Sequence, residues 1–328
     1  MNAKLSFKNT FKLNNSDRAV FVPFTYGLTA RIVQMPLQEM VSDASYYSHS
    51  LEETGNLLKL DGIVTAYDST MEAEILGCDV GWPDDYSAPA IDAYPDYELP
   101  EVNPEDNYRF SILTETIKRV VISKGRDVAV IGVLTGPCSL AGMLAANPLK
   151  ETDREKEIAT AGSLLSKLVK ILCELRIDAV FFREDIIGSG FTEELQAHTK
   201  AYTDIYKTLF NLVKFYNVAH AVIVKDTGRE LIPDIHRMLG MNGLILQGTK
   251  VNEQDLENLQ ELAESLKISF GLPLPMGNRD ELKEQFAVID RFLRDHKPTG
   301  FFYVSDGEVP HDMPLEVLHD LIAEMQNA

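Results

Sequence analysis

The stretch AVFFREDIIGSGFTEELQAHTKAYTDIYKTLFNLVKFYNVAHAVIVK, residues 179–225, carries the pattern that decides the fold. It opens on an apolar run, Ala179 to Arg183, and closes on a second, Ala219 to Lys225. Between them TDIYKTLFNLVKFY (203–216) repeats its apolar residues at helical spacing. Continuous apolar runs of this kind predict parallel strands buried on both faces and covered by helices.

The same alternation extends in both directions. Upstream runs are Ala19 to Phe24, Gly62 to Tyr67 and Asp127 to Leu134; downstream runs are Gly243 to Gln247, Ile268 to Leu272 and Thr299 to Val304. EKEIATAGSLLSKLVKILCELR (155–176) and DELKEQFAVIDRFLRDH (280–296) are amphipathic helices by the same test. Eight strands with helices between them predict a (β/α)8 TIM barrel, an α/β fold, built as one domain over 1–328. A doubly wound open sheet is the competing fold, but no GxGxxG or GxxxxGK[ST] loop accompanies the pattern. Residues 82–104, WPDDYSAPAIDAYPDYELPEVNP, are rich in Pro, Asp and Tyr and have no regular period. They are expected to form an irregular loop on the catalytic face, since they follow the second strand.

Composition bounds the function. A net charge of −19 over 328 residues disfavours nucleic acid and anionic membranes as partners, because both must be met with cations. The three cysteines Cys78, Cys138 and Cys173 are widely spaced and show no CxxC pairing, as in a reducing compartment. No stretch approaches the roughly 20 apolar residues of a membrane span, and the N-terminus lacks a continuous apolar core. The expectation is a cytoplasmic protein with a small-molecule substrate, and a homodimer is one open arrangement.

In such a barrel the polar residues just past each strand form the site. They are Thr25 and Tyr26 after the first run; Asp68, Ser69 and Thr70, then Glu72 and Glu74, after the second; and Thr135 after the third. Glu184 and Asp185 follow the fourth, Asp226 and Thr227 the fifth, Gln247 ends the sixth, and Ser305, Asp306 and Glu308 follow the eighth. Asp68, Tyr26, Glu184, Asp226 and Asp306 are the candidate catalytic residues, because crowded carboxylates can acquire raised pKa values and act as acids. Thr25, Tyr67, Arg183, Gln247 and His311 are the candidate substrate-binding residues. The plainer reading is that several rim groups cap the following helices and that Tyr26 and Tyr67 plug the barrel mouth. His311, in a loop beyond the eighth strand, is the one histidine singled out as an acid or ligand.

The segment DGIVTAYDSTMEAEILGCDVGWPDD (61–85) resembles the second strand and following helix of the uroporphyrinogen decarboxylase superfamily, which includes methylcobalamin:coenzyme M type methyltransferases. TGPCSLAGMLA (135–145) resembles the family's Gly-Pro turn and helix after the third strand. SDGEVPHDMPLEVLHDLI (305–322) resembles its Pro-punctuated C-terminal segment. The resemblance implies a (β/α)8 barrel and maps the family's catalytic aspartate onto Asp68, eight residues before Leu76.

Departures narrow the reaction. The arginine pair with which decarboxylases hold porphyrinogen carboxylates has one counterpart, Arg31 in FTYGLTARIVQMP (24–36), and the C-terminal histidine is replaced near Asp306. The methyltransferase branch, suggested by MEAEILGC and GEVP, uses a His-x-Cys pair after the fifth strand and a cysteine after the eighth as zinc ligands. Here those places read AVIVKDTGRE (221–230) and YVSDGEVP (303–310). The resemblance therefore implies a corrinoid-dependent methyltransferase-like enzyme that moves a methyl group between a methoxylated or methylamine-type substrate and methylcobalamin on a partner protein. Zinc is an open question, as is a hard cation held by Asp68, Glu184, Asp226 and Asp306 with or without His311. Uroporphyrinogen decarboxylation and a non-catalytic ligand- or partner-binding barrel are the alternatives.

Overall fold

The computed structural model describes residues 2–95, 102–149, 151, 153–187 and 189–326. Its strands in chain order are β1 (Phe21–Phe24), β2 (Gly62–Val64), β3 (Asp79–Gly81), β4 (Ala90–Ala93), β5 (Ala129–Thr135), β6 (Ala179–Ile187), β7 (Ala219–Lys225), β8 (Gly243–Gln247), β9 (Ser269–Leu274) and β10 (Phe301–Glu308). Eight of them form one sheet in the order β1-β10-β9-β8-β7-β6-β5-β2, and neighbouring strands in it run parallel. Each of the eight apolar runs became one of these strands. The runs are mainly apolar because both faces are covered: the four residues of β1 and all seven of β5 are buried.

Helices follow each barrel strand where the spacing predicts them. Residues 155–174 lie in the helix Arg154–Glu174, with Leu175 at its cap and Arg176 just beyond, 203–216 in Thr199–Phe215 apart from Tyr216 at its cap, and 280–296 in Arg279–His296. Local chemistry sets their starts: the Asp153 side chain accepts the Lys156 N–H, and Asn278 accepts those of Asp280 and Glu281. Among the described residues no helix is long and apolar enough to cross a membrane. The sequence pattern did not anticipate the N-terminal helix Ala3–Phe11, which covers the N-terminal end of the barrel. Its Phe11 ring lies 6.1 Å from Phe181 and 5.4 Å from Phe302, and Ser269 Oγ donates to the Thr10 carbonyl at 2.9 Å.

Of the irregular excursion expected over 82–104, residues 96–101 lie outside the described residues. Within its described part Ala90–Ala93 is strand, and as β4 it pairs antiparallel with β3, which precedes the excursion, in a small two-stranded ribbon; the residues between the two strands are irregular. The turn between them is held by Asp84, whose carboxylate accepts the Tyr86 and Ser87 N–H groups, each at 2.8 Å.

The ring closes where β1 meets β2. These strands share no ladder bonds, yet they lie side by side. The carboxylate of Asp61, which is 5% exposed, accepts the Phe21 N–H at 2.9 Å and Arg18 Nη1 at 2.7 Å. At the other end of the seam the Phe24 ring stacks on Tyr67 with centroids 4.4 Å apart.

Asp61→Ala should therefore cost about 2–4 kcal/mol in urea denaturation, toward the low side for a broken buried pair because Arg18 keeps 24% of its side chain exposed. A second expectation concerns His220. Its ring is fully buried, stacks on Phe210 at 4.2 Å and has no hydrogen-bond partner at either nitrogen. Burial pushes its pKa down to about 3, with Lys214 adding to the effect. Below the ordinary histidine value near 6.5 the unfolded chain takes up a proton that the native chain refuses, so stability falls as pH drops toward about 3. His220→Phe should flatten that loss when unfolding is measured across the same range.

Candidate active site

Strand alternation sorts the rim residues into two sets. On β6, Phe182 packs against Tyr206 and Phe210 of the outer helix Thr199–Phe215, whereas Phe181 faces Phe11 inside. Arg183 and Asp185 share the inner face with Phe181, and Glu184 shares the outer face with Phe182. The Arg183 guanidinium lies 4.5 Å from the centre of the Tyr67 ring, and its Nε donates to Asp185 Oδ1 at 2.8 Å. The Tyr67 hydroxyl in turn meets Gln247 Oε1 at 3.3 Å. Tyr67, Arg183 and Gln247, candidates from three different strand ends, thus meet at one mouth.

Glu184 is a correction. Its carboxylate is 1% exposed and accepts the N–H groups of Cys138 at 3.2 Å and Ser139 at 2.8 Å, together with the Tyr206 hydroxyl. It caps the helix Pro137–Ala145 from the helix layer and does not face the mouth. Burial still pushes its pKa up to about 6, against the donors that favour the charged form.

Asp68 does belong to the mouth, but in a role richer than its position suggested. Oδ1 accepts the Thr70 N–H at 2.7 Å and its hydroxyl at 2.8 Å, which turns the chain into the helix Met71–Ile75. Oδ2 takes Arg109 Nη1 at 2.5 Å. Arg109 is 8% exposed and comes from the helix Tyr108–Ser123, and sequence reasoning missed it because it follows no strand. Its Nε also donates to Glu74 at 2.6 Å. Glu72, on the same short helix, is buried against Thr135, accepting its N–H at 3.0 Å and its hydroxyl at 2.7 Å, and burial pushes its pKa up to about 7.

Tyr26 is buried beside Tyr47, ring centroids 6.4 Å apart, within electrostatic reach of Asp68, Arg109 and Glu308. Tyr47, which the sequence reading did not single out, donates its hydroxyl to the Thr65 carbonyl. Burial raises the pKa of both phenols, and the Asp68 charge raises them further. Thr25 is buried next to Thr29, their hydroxyl oxygens 3.3 Å apart.

Glu308 was on the rim in sequence but outside the candidate set, and the fold makes it central. It accepts the Gly27 N–H at 2.5 Å and feels both Arg183 and Asp68. Burial, outweighing that N–H and Arg183 and reinforced by Asp68, pushes its pKa up to about 7. The glycine is required there: a Cβ on Gly27 would lie 2.0 Å from the Tyr86 carbonyl oxygen.

Asp226 and Asp306 meet at a different point of the rim. Gly248 donates its N–H to Asp306 Oδ1 at 2.6 Å, and a Cβ on Gly248 would lie 2.0 Å from Asp226 Oδ1. Asp226 is exposed and holds a left-handed φ of 48°. Burial raises the Asp306 pKa, opposed by the Gly248 N–H and Lys225. His311 stands against Tyr86 with ring centroids 5.4 Å apart, and Arg31 lies 5.9 Å from the centre of the same ring.

These placements do not fit a metal. All three cysteines are buried thiols, and none lies at the ends of β7 or β10 where the resemblance would place zinc ligands. The proposed carboxylate set is also not assembled, since Asp68 is bound to Arg109 and Glu184 lies in the helix layer. Among the described residues no group of three or more His, Cys, Asp or Glu side chains is placed to hold a metal ion.

Solved structures that share this fold include a methyltransferase and two methionine synthases. The chain aligns over 100% of its length with 99% of a methyltransferase from Methanosarcina mazei, at a TM-score of 0.78 and 15% identity. A B12-independent methionine synthase from a Shewanella species aligns over 86% of this chain and 87% of its own, at a TM-score of 0.55 and 14% identity. A putative vitamin-B12 independent methionine synthase from Listeria monocytogenes covers 95% of this chain and 97% of its own, at 0.56 and 9% identity. No curated protein matches the sequence. Residues 28–180 match the family model described as uroporphyrinogen decarboxylase (URO-D). The segment that carries the Asp68 turn is thus similar to the uroporphyrinogen decarboxylase family, and the whole chain shares its barrel fold with the methyltransferase.

Proposed function

We propose that this chain is a methyltransferase that moves a methyl group between a small methoxylated or N-methylated substrate and a cobalamin carried by a separate corrinoid protein. The observation that carries the reading is the pair of unlike carboxyls at the mouth: Asp68 tied to Arg109, and Glu308 held near neutrality by burial. Two carboxyls whose surroundings separate them can divide electrostatic and proton-transfer roles. Glu308 gives its proton to the departing oxygen or nitrogen while the methyl–heteroatom bond breaks and its electron pair stays on that atom. Reduced cobalamin on the partner protein would supply the nucleophile for the methyl group. Tyr67, stacked on Phe24 and covered by Arg183, forms an aromatic wall for a flat substrate. The barrel shared with a methyltransferase is compatible with this reading and does not by itself carry it.

Decarboxylation of a porphyrinogen is less well served. Both Asp68 oxygens already accept hydrogen bonds, from Thr70 and from Arg109, where a pyrrole would need them. Arg31, the counterpart of the family's arginine pair, is exposed and lies over Tyr86.

The test is methyl transfer to reduced cobalamin from a panel of methoxylated and methylated amine substrates, with metal content measured in the same preparation. Transfer from at least one donor supports the reading. Coproporphyrinogen formed from uroporphyrinogen, or no turnover with tight binding of a protein partner, overturns it. Because the Glu308 pKa is raised, the acid is loaded below about pH 7 and lost as pH rises through that value, so the rate should fall on the alkaline side. Glu308→Gln should lower kcat by about 10²–10⁴-fold and remove that alkaline limb from the pH–rate profile.

A further inference from the structure

Arg109 has no place in the motifs that led to this site, yet its guanidinium is the most fully engaged cation in it. Nε donates to Glu74, Nη1 to Asp68, and Nη2 to the Thr70 hydroxyl at 3.1 Å. With its edges used in this way, the planar group leaves a face open, and there the half-buried Trp82 indole is centred 5.7 Å away. Trp82 directly follows β3, so the arginine touches both the site and the base of the β3–β4 ribbon. The tip of that ribbon is fastened elsewhere, by the Tyr86 carbonyl packed on Gly27 and by the Leu37 N–H donated to the Asp85 carbonyl at 2.6 Å.

We infer that Arg109 is a positioning residue that latches the β3–β4 ribbon to the Asp68 carboxylate, so that the seating of the ribbon and the placement of Asp68 are set together. Apolar packing would fasten a ribbon to a barrel without burying an arginine among carboxylates, an arrangement whose desolvation cost is seldom repaid in stability. A forked cation explains the choice, because one rigid group aligns Asp68, Thr70 and Glu74 and still offers a flat surface to the indole. Lysine can replace the charge but not the fork. Moving Arg109 alters the field at Tyr26 and, through Asp68, at Glu308, so the latch also bears on the proton donor.

Trp82 is the only tryptophan among the 328 residues, which makes its emission a reporter of the latch in the intact chain. Arg109→Met and Asp68→Asn should each shift that emission to the red and raise acrylamide quenching. The double variant should go no further than Arg109→Met alone, since the two act through one contact chain. Circular dichroism melting verifies folding, and Arg109→Lys is the milder variant should Arg109→Met not fold. Under the methyl-transfer reading, Arg109→Lys should lower kcat about tenfold or more with KM nearly unchanged, the signature of misplaced rather than missing binding groups. Unchanged Trp82 emission in folded Arg109→Met or Arg109→Lys, or fully additive effects of Arg109→Met and Asp68→Asn, overturns the latch. The fluorescence measurement needs no turnover, so failure of the methyl-transfer reading and failure of the latch are separately visible.

Discussion

A parallel sheet rolled into a ring must join its first strand to its second, and in this protein the join depends on one buried carboxylate. β1 and β2 make no ladder bonds with each other, so Asp61 supplies what the backbone does not, accepting the Phe21 N–H and the Arg18 fork. An open edge at that seam would leave backbone groups unpaired and would let water into the barrel. With the seam shut, Phe24 and Tyr67 stack at its upper end, and strand ends far apart in the chain share one mouth. Everything proposed about chemistry depends on that gathering.

The mouth is unusual in how it treats its acids. Four carboxyls have four different neighbours: Arg109 for Asp68, the Gly27 N–H for Glu308, Thr135 for Glu72, the Gly248 N–H for Asp306. Partner and burial together decide whether a carboxyl keeps its proton, and Glu308 and Glu72 are both pushed up to about 7. Of these two, Glu72 has both oxygens committed to Thr135, whereas Glu308 sits among Arg183, Asp68 and the tyrosines. A chain with net charge −19 can therefore carry many rim carboxyls and still present a proton donor at only a few of them.

The barrel is similar to that of the family matched over residues 28–180, but the groups on it differ from those the resemblance implies. Where the methyltransferase branch would bear zinc ligands, Asp226 and Asp306 converge on a glycine, and the three cysteines lie elsewhere in the packed protein. Fold and chemistry are thus separable here, and the reaction has to be argued from Glu308, Asp68 and Arg109 rather than from the barrel.

The sequence by itself determined the architecture, because a strand buried on both faces must be apolar at every position and a helix on a sheet must be apolar at every third or fourth. Those two constraints are local, so all eight barrel strands could be read from runs such as Ala219 to Lys225. It also placed Asp68, Tyr67, Arg183 and Gln247 at strand ends. What only the tertiary structure decided was direction and company. The one-residue step from Arg183 to Glu184 crosses the sheet, and the outward side chain caps a helix while its neighbour enters the mouth. Arg109 and Tyr47 reach the site from helices, and Glu308 acquires its proton from burial, a property of the assembled barrel that no residue spacing encodes.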